Sequence, residues 1–291
     1  MSITEAQRAD RKNHLGSSDL PAILGFSRFA NAYDIWLEKT GRIVHNERTE
    51  DYITAGNLFE KPVIEWFREY IGQAVQEQDA EHDMERKVAD LPIVVHLDGV
   101  MEETGDPVEV KTAGLYGPIQ TLWGETGTDE VPEYECIQTH CHLMATDREI
   151  CHVPTFLGGR GFGYFFVKRD NAIVDLIREQ AIRFWEDNVL KDIPPENCAP
   201  TLAMAKRIRH VESDPVALDE EAVQMWLTAK ERAKEAQAVV DFHHAELLAA
   251  LDGRDMGTCA LGDITHFEQN RKGYEVQPAS FRVMRLKKAK K

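Results

Sequence analysis

The chain has 291 residues, room for one large domain or for one domain with a sizeable extension, and 43% hydrophobic content is enough for a proper core. Its formal net charge of −16 excludes a chain-wide basic surface for nucleic acid, although an acidic exterior can coexist with a basic groove. No stretch approaches the roughly 20 apolar residues of a membrane span, and Met1-Ser2-Ile3-Thr4-Glu5 lacks the basic and apolar regions of a signal peptide, so a soluble cytoplasmic protein with no membrane partner is expected.

In chain order, residues 17–24 read as a short helix entry, with Ser17 and Ser18 able to cap, Asp19 suited to the first turn and Pro21 tolerated there. A second helix is predicted from about Ala32 to Lys39, stopped by Gly41. A third begins near Gly56 and carries Phe59, Val63, Ile64, Phe67 and Tyr70 at helical spacing. Glu60 lies on its first turns, and Pro62 fits near a helix start better than inside one. Ile93 to Leu97 and Pro107 to Thr112 are predicted strands. Pro132 to Ala145 reads as a helix with Ile137, Cys141, Leu143 and Met144 as its apolar side, Gly163 to Lys168 as an aromatic strand, and about Ala172 to Val189 as a further helix. This order describes an α/β (α+β) domain, not a bundle or a sandwich.

Composition changes after Pro194-Pro195 and again around Ser213-Asp214-Pro215. From Asp219 to Leu251 the chain is helix-forming without a break, with Val223, Trp226, Leu227, Ala233, Val240, Leu247 and Leu251 at helical spacing; such a helix is roughly 50 Å long and is ended by Gly253. Residues 257–286 look like a small β element with Arg271-Lys272-Gly273 as a turn. The division that follows is a domain over 1–210 and an extension over 211–291. Lys206-Arg207-x-Arg209-His210 and the tail Arg282, Arg285, Lys287, Lys288, Lys290, Lys291 are local basic clusters, readable as solvated surface or as a nucleic-acid contact.

The five cysteines (Cys136, Cys141, Cys151, Cys198, Cys259) are odd in number and irregularly spaced, which argues for reduced thiols and against a disulfide scaffold. Cys136, His140, Cys141, His142, Cys151 and His152 are metal-binding residue types. There is no C-x-x-C pair, however, and His140-Cys141-His142 fan out around a helix, so buried or solvated side chains are expected there instead of a zinc or iron–sulfur site.

Two short strings carry chemistry: Leu97-Asp98-Gly99 and Glu109-Val110-Lys111. In a strand, residues two apart share a face, so Glu109 and Lys111 project together with Val110 turned into the core. If the two strands pair, Asp98 comes alongside. Carboxylate oxygens suit Mg²⁺, and a lysine beside them can hold a water or an anionic oxygen, the equipment for metal-assisted phosphodiester hydrolysis. The same strings admit a plainer reading, since Asp-Gly is a hairpin-turn dipeptide and Glu-x-Lys an ordinary strand face.

Leu15–Gly25, Ala32–Gly41, Gly56-Asn57-Leu58-Phe59-Glu60, Leu97-Asp98-Gly99, Glu109-Val110-Lys111 and Gln138-Thr139-His140-Cys141-His142 together resemble one family, the phage-type exonucleases of the YqaJ and lambda-exonuclease group within the PD-(D/E)XK nuclease superfamily. The resemblance implies a PD-(D/E)XK restriction-endonuclease-like core with a mixed central sheet flanked by helices. It implies Asp98 and Glu109 as metal-binding carboxylates, Lys111 as the catalytic lysine, Glu60 as the upstream acid, the carbonyl of Val110 as a further ligand, and Gln138 beside the site. Helix-dipole stabilisation is the other reading of Glu60. Mg²⁺, with Mn²⁺ as substitute, in a pair of ions is the implied cofactor. Arg11 and Ser18, with Ser17, are the counterparts of the family's 5′-phosphate site; Arg8 competes with Arg11, and helix capping competes with phosphate binding for the serines. Two positions depart from the family pattern: His96 stands where a small hydroxylated residue is common, replacing one DNA phosphate contact with an imidazole, and His142 stands where an aromatic hydroxyl is common.

The implied activity is exonucleolytic digestion of linear double-stranded DNA from the 5′-ended strand, leaving 3′ single strands for an annealing protein in phage-type recombination inside a bacterial host. A homo-oligomer such as a trimeric ring is implied too. Rival readings are another endonuclease or repair nuclease of the superfamily, a catalytically silent DNA-binding protein, and an acidic interaction protein built on the 219–251 helix.

Overall fold

The computed structural model describes residues 11–44, 51–77, 84–114, 122–211 and 215–268. The chain divides into two units, Met1–His210 and Val211–Lys291.

In the first unit the described elements follow in the order β1 (Leu15–Gly16), α1 (Leu20–Ile23), α2 (Ala32–Lys39), α3 (Asp51–Ile71), β2 (Val75–Glu77), β3 (Glu85–Lys87), β4 (Ile93–His96), β5 (Gly99–Met101), β6 (Pro107–Val108), β7 (Lys111–Ala113), α4 (Glu133–Thr146), β8 (Ile150–Leu157), β9 (Gly161–Lys168), α5 (Asn171–Arg183), a π-helical turn (Phe184–Val189) and α6 (Leu202–Ala205). Two sheets result, one of order β1-β4-β3 and one of order β2-β5-β6-β8-β7 with β9 added to β8. Parallel and antiparallel pairs mix in both: β1 runs parallel to β4, and β6 and β7 run parallel to β8, while the remaining pairs are antiparallel. This is the mixed, helix-flanked α+β core that the sequence implied.

Local chemistry explains the helices. Asn31 and Asp34 form a reciprocal capping box at the start of α2, and Gly41, with φ of +68°, lets the chain leave its end. α3 starts at Asp51, five residues before the expected Gly56, and carries Pro62 in its interior. A proline there forfeits one helical hydrogen bond; Pro62 sits on the exposed face. The earlier start puts Glu60 more than two turns into the helix, beyond reach of the terminal dipole. α1 is a single turn of four residues, and neither Ser17 nor Ser18 caps it: the N-cap position is Asp19, whose side chain accepts from Gly16 N at 2.8 Å instead.

The expected strand over 107–112 is broken at Glu109-Val110. The Val110 N–H is diverted to Asp98 Oδ2 at 2.7 Å, and Pro154, which has no N–H, lies on β8 between the paired positions Val108↔His152 and Lys111↔Thr155. β8 itself was not anticipated from the sequence, because Pro154 argues against a strand interior, yet it is the central strand of the larger sheet. Asp98-Gly99 is not a hairpin turn. It is the crossing from β4 in one sheet to β5 in the other.

Three apolar clusters hold the unit. One packs Leu15, Ile35, Trp36, Ile43, Ile93, Val95, Leu97, Ile137, Cys141 and Ile177 between the smaller sheet and the helices. A second joins Trp123, Leu143, Cys151, Val153, Leu157, Phe165 and Val167. A third places Ile64 and Phe67 of α3 on Val75, Met101 and Val108. At about 1.5–3 kcal/mol per fully buried large side chain, this burial is the main force fixing the strand ends that carry the site.

The second unit contains α7 (Glu220–Leu251), N-capped by Asp219, whose carboxylate accepts from Ala222 N, and closed by Asp252 in the left-handed region ahead of Gly253. A hairpin of β10 (Met256–Cys259) and β11 (Gly262–Thr265) follows, turning at Ala260-Leu261. The hairpin falls at the start of the expected 257–286 element; the remainder of that span, with Arg271-Lys272-Gly273, and the basic tail lie outside the described residues.

Candidate active site

Asp98 occupies the crossing between the two sheets, and the backbone beside it is tightly confined. Gly99 pairs with Val108, and a Cβ at this glycine would stand 3.0 Å from Gln76 O and 3.0 Å from Val75 Cγ1. That confinement, with the Val110 N–H bond, sets Asp98 close enough to Glu109 for the two carboxyls to act on each other electrostatically. Burial, then the charges of Glu109 and Glu60, push the Asp98 carboxyl well above the usual carboxylate range, with the Val110 N–H and Lys111 opposing. The charges of Glu109 and Glu60 thus both act on Asp98.

Glu109 and Lys111 project together as the two-residue spacing predicts. Lys111 Nζ lies 2.8 Å from Glu109 Oε1, 2.9 Å from Glu135 Oε2 and 2.8 Å from Gln138 Oε1. Gln138 Nε2 in turn donates to Glu109 Oε1 at 2.8 Å. Burial raises the Glu109 carboxyl, but Lys111 and His142 outweigh it and hold it below its ordinary value. Burial likewise acts to lower the Lys111 ammonium, and Glu109 and Glu135 outweigh that, so the lysine is held charged.

Glu135 is the residue that sequence reasoning missed. Buried on α4, it supplies the second carboxylate to Lys111, and burial lifts its own carboxyl above the usual range against the pull of Lys111. The signal was available: Glu135, Gln138 and His142 recur at three and four residues, one face of a helix. Of the expected apolar side of this helix, Ile137, Cys141 and Leu143 are buried and Met144 is half-buried; on the polar face Glu135 and His142 are buried and Gln138 is half-buried.

His142 links two parts of the site. Its Nε2 is hydrogen-bonded to Ser17 Oγ at 3.1 Å, and its Nδ1 stands 3.4 Å from Glu109 Oε2, an ion-pair distance without hydrogen-bond direction. Burial is the largest influence on it and lowers its pKa, favouring the neutral ring. His96, half-buried at the end of β4, is close enough to act electrostatically on His142. Of the two serines, Ser17 is buried against His142, while Ser18 is exposed and accepts from Arg11 Nη2 at 3.3 Å. Arg8, the competing arginine, lies outside the described residues.

The carboxylates are not closed into a finished cage. Among the described residues no group of three His, Cys, Asp or Glu side chains is arranged to hold a metal ion. The contacts show these carboxylates already engaged: Asp98 accepts from Val110 N, and Glu109 is shared by Lys111 and Gln138. The cysteine–histidine set is dispersed in structural contacts. His140 Nε2 accepts from Asp170 N at 3.0 Å, His152 Nδ1 faces Tyr164 Oη at 2.8 Å, and Cys141 and Cys151 are buried thiols whose pKa values burial raises. Among the described residues no helix is long and apolar enough to cross a membrane.

Residues 8–149, the segment holding every residue of this site, match the family described as the YqaJ-like viral recombinase domain. The uncharacterized protein YqaJ of Bacillus subtilis (strain 168) is 26% identical over 238 residues, which span 79% of this chain and 72% of that protein. The crystal structure of LHK-Exo in complex with dAMP aligns with a TM-score of 0.50 at 16% identity, over 65% of this chain and 94% of that one. The crystal structure of the alkaline exonuclease LHK-Exo from Laribacter hongkongensis aligns with a TM-score of 0.49, also at 16% identity, over 65% of this chain and 94% of that one. The motif resemblance therefore holds over residues 8–149, and the fold is similar to that of LHK-Exo.

Proposed function

We propose that this chain is a metal-dependent exonuclease that digests linear double-stranded DNA from the 5′-ended strand and leaves 3′ single strands for an annealing protein in phage-type recombination. The observation that carries the reading is the cluster of Asp98, Glu109, Lys111 and Gln138, reached from Ser17 through His142. No packing requirement demands these polar groups together at the junction of two sheets.

The donor set fits a hard divalent cation. Asp98, Glu109 and Glu60 are oxygen donors whose mutual repulsion raises the Asp98 carboxyl, a cost that a cation would relieve. These three and the Val110 carbonyl would hold Mg²⁺ or Mn²⁺, and a pair of such ions supplies charge neutralisation on the attacking and leaving oxygens of an in-line displacement. Lys111, kept as an ammonium by Glu109 and Glu135, offers a positive donor to a phosphoryl oxygen or the attacking water. Gln138 fixes the spacing of that donor from Glu109. Arg11 and Ser18 supply a guanidinium and a hydroxyl suited to a terminal 5′ phosphate, with His96 a further contact to the strand. A ring-shaped homo-oligomer in a bacterial cytoplasm reconciles the acidic total with a DNA channel.

The deciding experiment is digestion of a linear duplex labelled at one 5′ end, with Mg²⁺, with EDTA, and with Lys111→Ala. Release of label as mononucleotides only with Mg²⁺ and the wild-type lysine, with circular plasmid surviving, supports the reading. DNA binding with no release from any end would instead establish a silent member of the fold.

A further inference from the structure

The segment Ala32–Gly41 shares the family resemblance, yet nothing in the chemistry above uses it. It ends in a lysine shut off from solvent. The Lys39 side chain is 0% exposed, and its ammonium lies 2.6 Å from Asp19 Oδ2 and donates to the backbone oxygen of Arg11 at 2.9 Å. The same Asp19 oxygen accepts from Gly16 N at 2.8 Å. Burial raises the Asp19 carboxyl, but Lys39 and Arg11 outweigh it and hold it below its ordinary value.

A buried ion pair gives little or no net stability over well-packed apolar side chains, because two charges must be desolvated. Its effect lies in what it holds. On one side it grips the backbone at residue 11, and on the other the turn from Gly16 to Asp19. The side chains presented between those two grips are Arg11 and Ser18, 3.3 Å apart. Gly16 sits directly beneath them, since a Cβ there would come 3.3 Å from Arg11 Nη2. The charged pair thus sets the distance between a guanidinium and a hydroxyl that belong to different stretches of chain.

We propose that Lys39 and Asp19 are positioning residues that lock the Arg11–Ser18 pair into the geometry that selects DNA ends carrying a 5′-terminal phosphate; this rests on the reading of Arg11 and Ser18 given above. Neither residue touches the DNA. Each acts through the backbone it anchors.

The test uses the full chain and two linear duplexes identical but for a 5′ phosphate or a 5′ hydroxyl, with kcat and KM measured for each. Lys39→Met is expected to reduce the phosphate-to-hydroxyl ratio of kcat/KM tenfold or more, mainly through KM for the phosphorylated end. Asp19→Asn, which keeps the shape and the acceptor for Gly16 N–H, is expected to reduce it at least threefold. A merely structural role would slow both kinds of end alike and leave the ratio unchanged, overturning the inference. If circular dichroism shows Lys39→Met unfolded, the Asp19→Asn ratio decides in the same sense. A wild-type protein indifferent to the 5′ phosphate would overturn the Arg11–Ser18 reading and this inference with it. A wild-type preference that survives both substitutions overturns this inference alone.

Discussion

Gln138 presents its carbonyl oxygen to Lys111 Nζ and its amide nitrogen to Glu109 Oε1, both at 2.8 Å. One planar amide thereby sets the separation of an ammonium and a carboxylate that already lie close across the strand break. Gln138→Leu removes both bonds and leaves the apolar packing of α4 in place. The expected result is a 10- to 100-fold loss in kcat on linear duplex with KM for DNA within about threefold, the pattern of a group that orders the reacting side chains. Steady-state kinetics on a 5′-labelled duplex check it, and an equal loss of DNA affinity would refute it.

Glu135 gives Lys111 its second carboxylate. Both Glu109 and Glu135 raise the lysine against the pull of burial, so Glu135→Gln removes one of the two supports and leaves burial less opposed. The ammonium then releases its proton at a lower pH than in the wild type. A pH profile of kcat/KM should show the alkaline decline displaced toward neutrality in Glu135→Gln, with the acidic limb little changed. Glu135→Ala should also lose stability, since it leaves a cavity beside a buried ammonium. Coincident alkaline limbs in wild type and Glu135→Gln would show that Lys111 does not need this partner.

Asp98 makes a prediction about stability whose sign is opposite to that of the ion-paired acids Asp19 and Glu109, which are held low. Burial and the charges of Glu109 and Glu60 raise its carboxyl in the fold above the unfolded value of 3.8. A group raised on folding contributes stability below its unfolded pKa and loses that contribution as pH rises through its folded pKa. At pH 7–8 in EDTA, well above its unfolded value, Asp98 therefore costs the fold stability. Asp98→Asn keeps an acceptor for Val110 N–H and removes the charge, so its Tm in EDTA should exceed that of the wild type at pH 8, by about 2–4 °C for each kcal/mol relieved. The two proteins should converge near pH 3.5. Adding Mg²⁺ should raise the wild-type Tm and leave Asp98→Asn nearly unmoved, and activity should be lost in the variant. Equal Tm values in EDTA at pH 8 would mean that the three carboxylates do not burden one another.

The parts of this molecule that were legible in its sequence are those that rest on local rules. α2 ends where Gly41 allows, α4 and α7 carry periodic apolar residues, and the i, i+2 spacing put Glu109 beside Lys111. The parts that were not legible depend on distant partners. Pro154 argues against a strand, and only the Glu109-Val110 interruption opposite it shows why a residue without an N–H is accommodated there. Ser17 and Ser18 look equally able to cap a helix. One instead faces His142 and the other Arg11, contacts spanning 125 and 7 residues of sequence. Glu135 drew no reading from the sequence, because its role needed the position of Lys111 on another element.

The first unit closes on itself, which bears on what the extension contributes. Residues 207–209 run back along 42–44: Val44 N donates to Arg207 O at 2.8 Å, Arg209 N donates to Arg42 O at 2.9 Å, and Ile43 bridges Ile208. Ile43 is buried in the main apolar cluster beneath that clip. A chain ending at His210 keeps the clip and every residue assigned to the site, whereas one ending at Pro200 uncovers Ile43. The 1–210 form is therefore expected to fold with a single cooperative transition and to retain Mg²⁺-dependent, Lys111-dependent release of label. The 1–200 form is expected to melt several degrees lower, because a large aliphatic side chain regains water. Along α7 Leu251 alone is buried, so little of the extension's own packing would be lost with it. Circular dichroism melts and the labelled-duplex assay separate the cases. A folded but inactive 1–210 form would move part of the catalytic or DNA-holding function into residues 211–291.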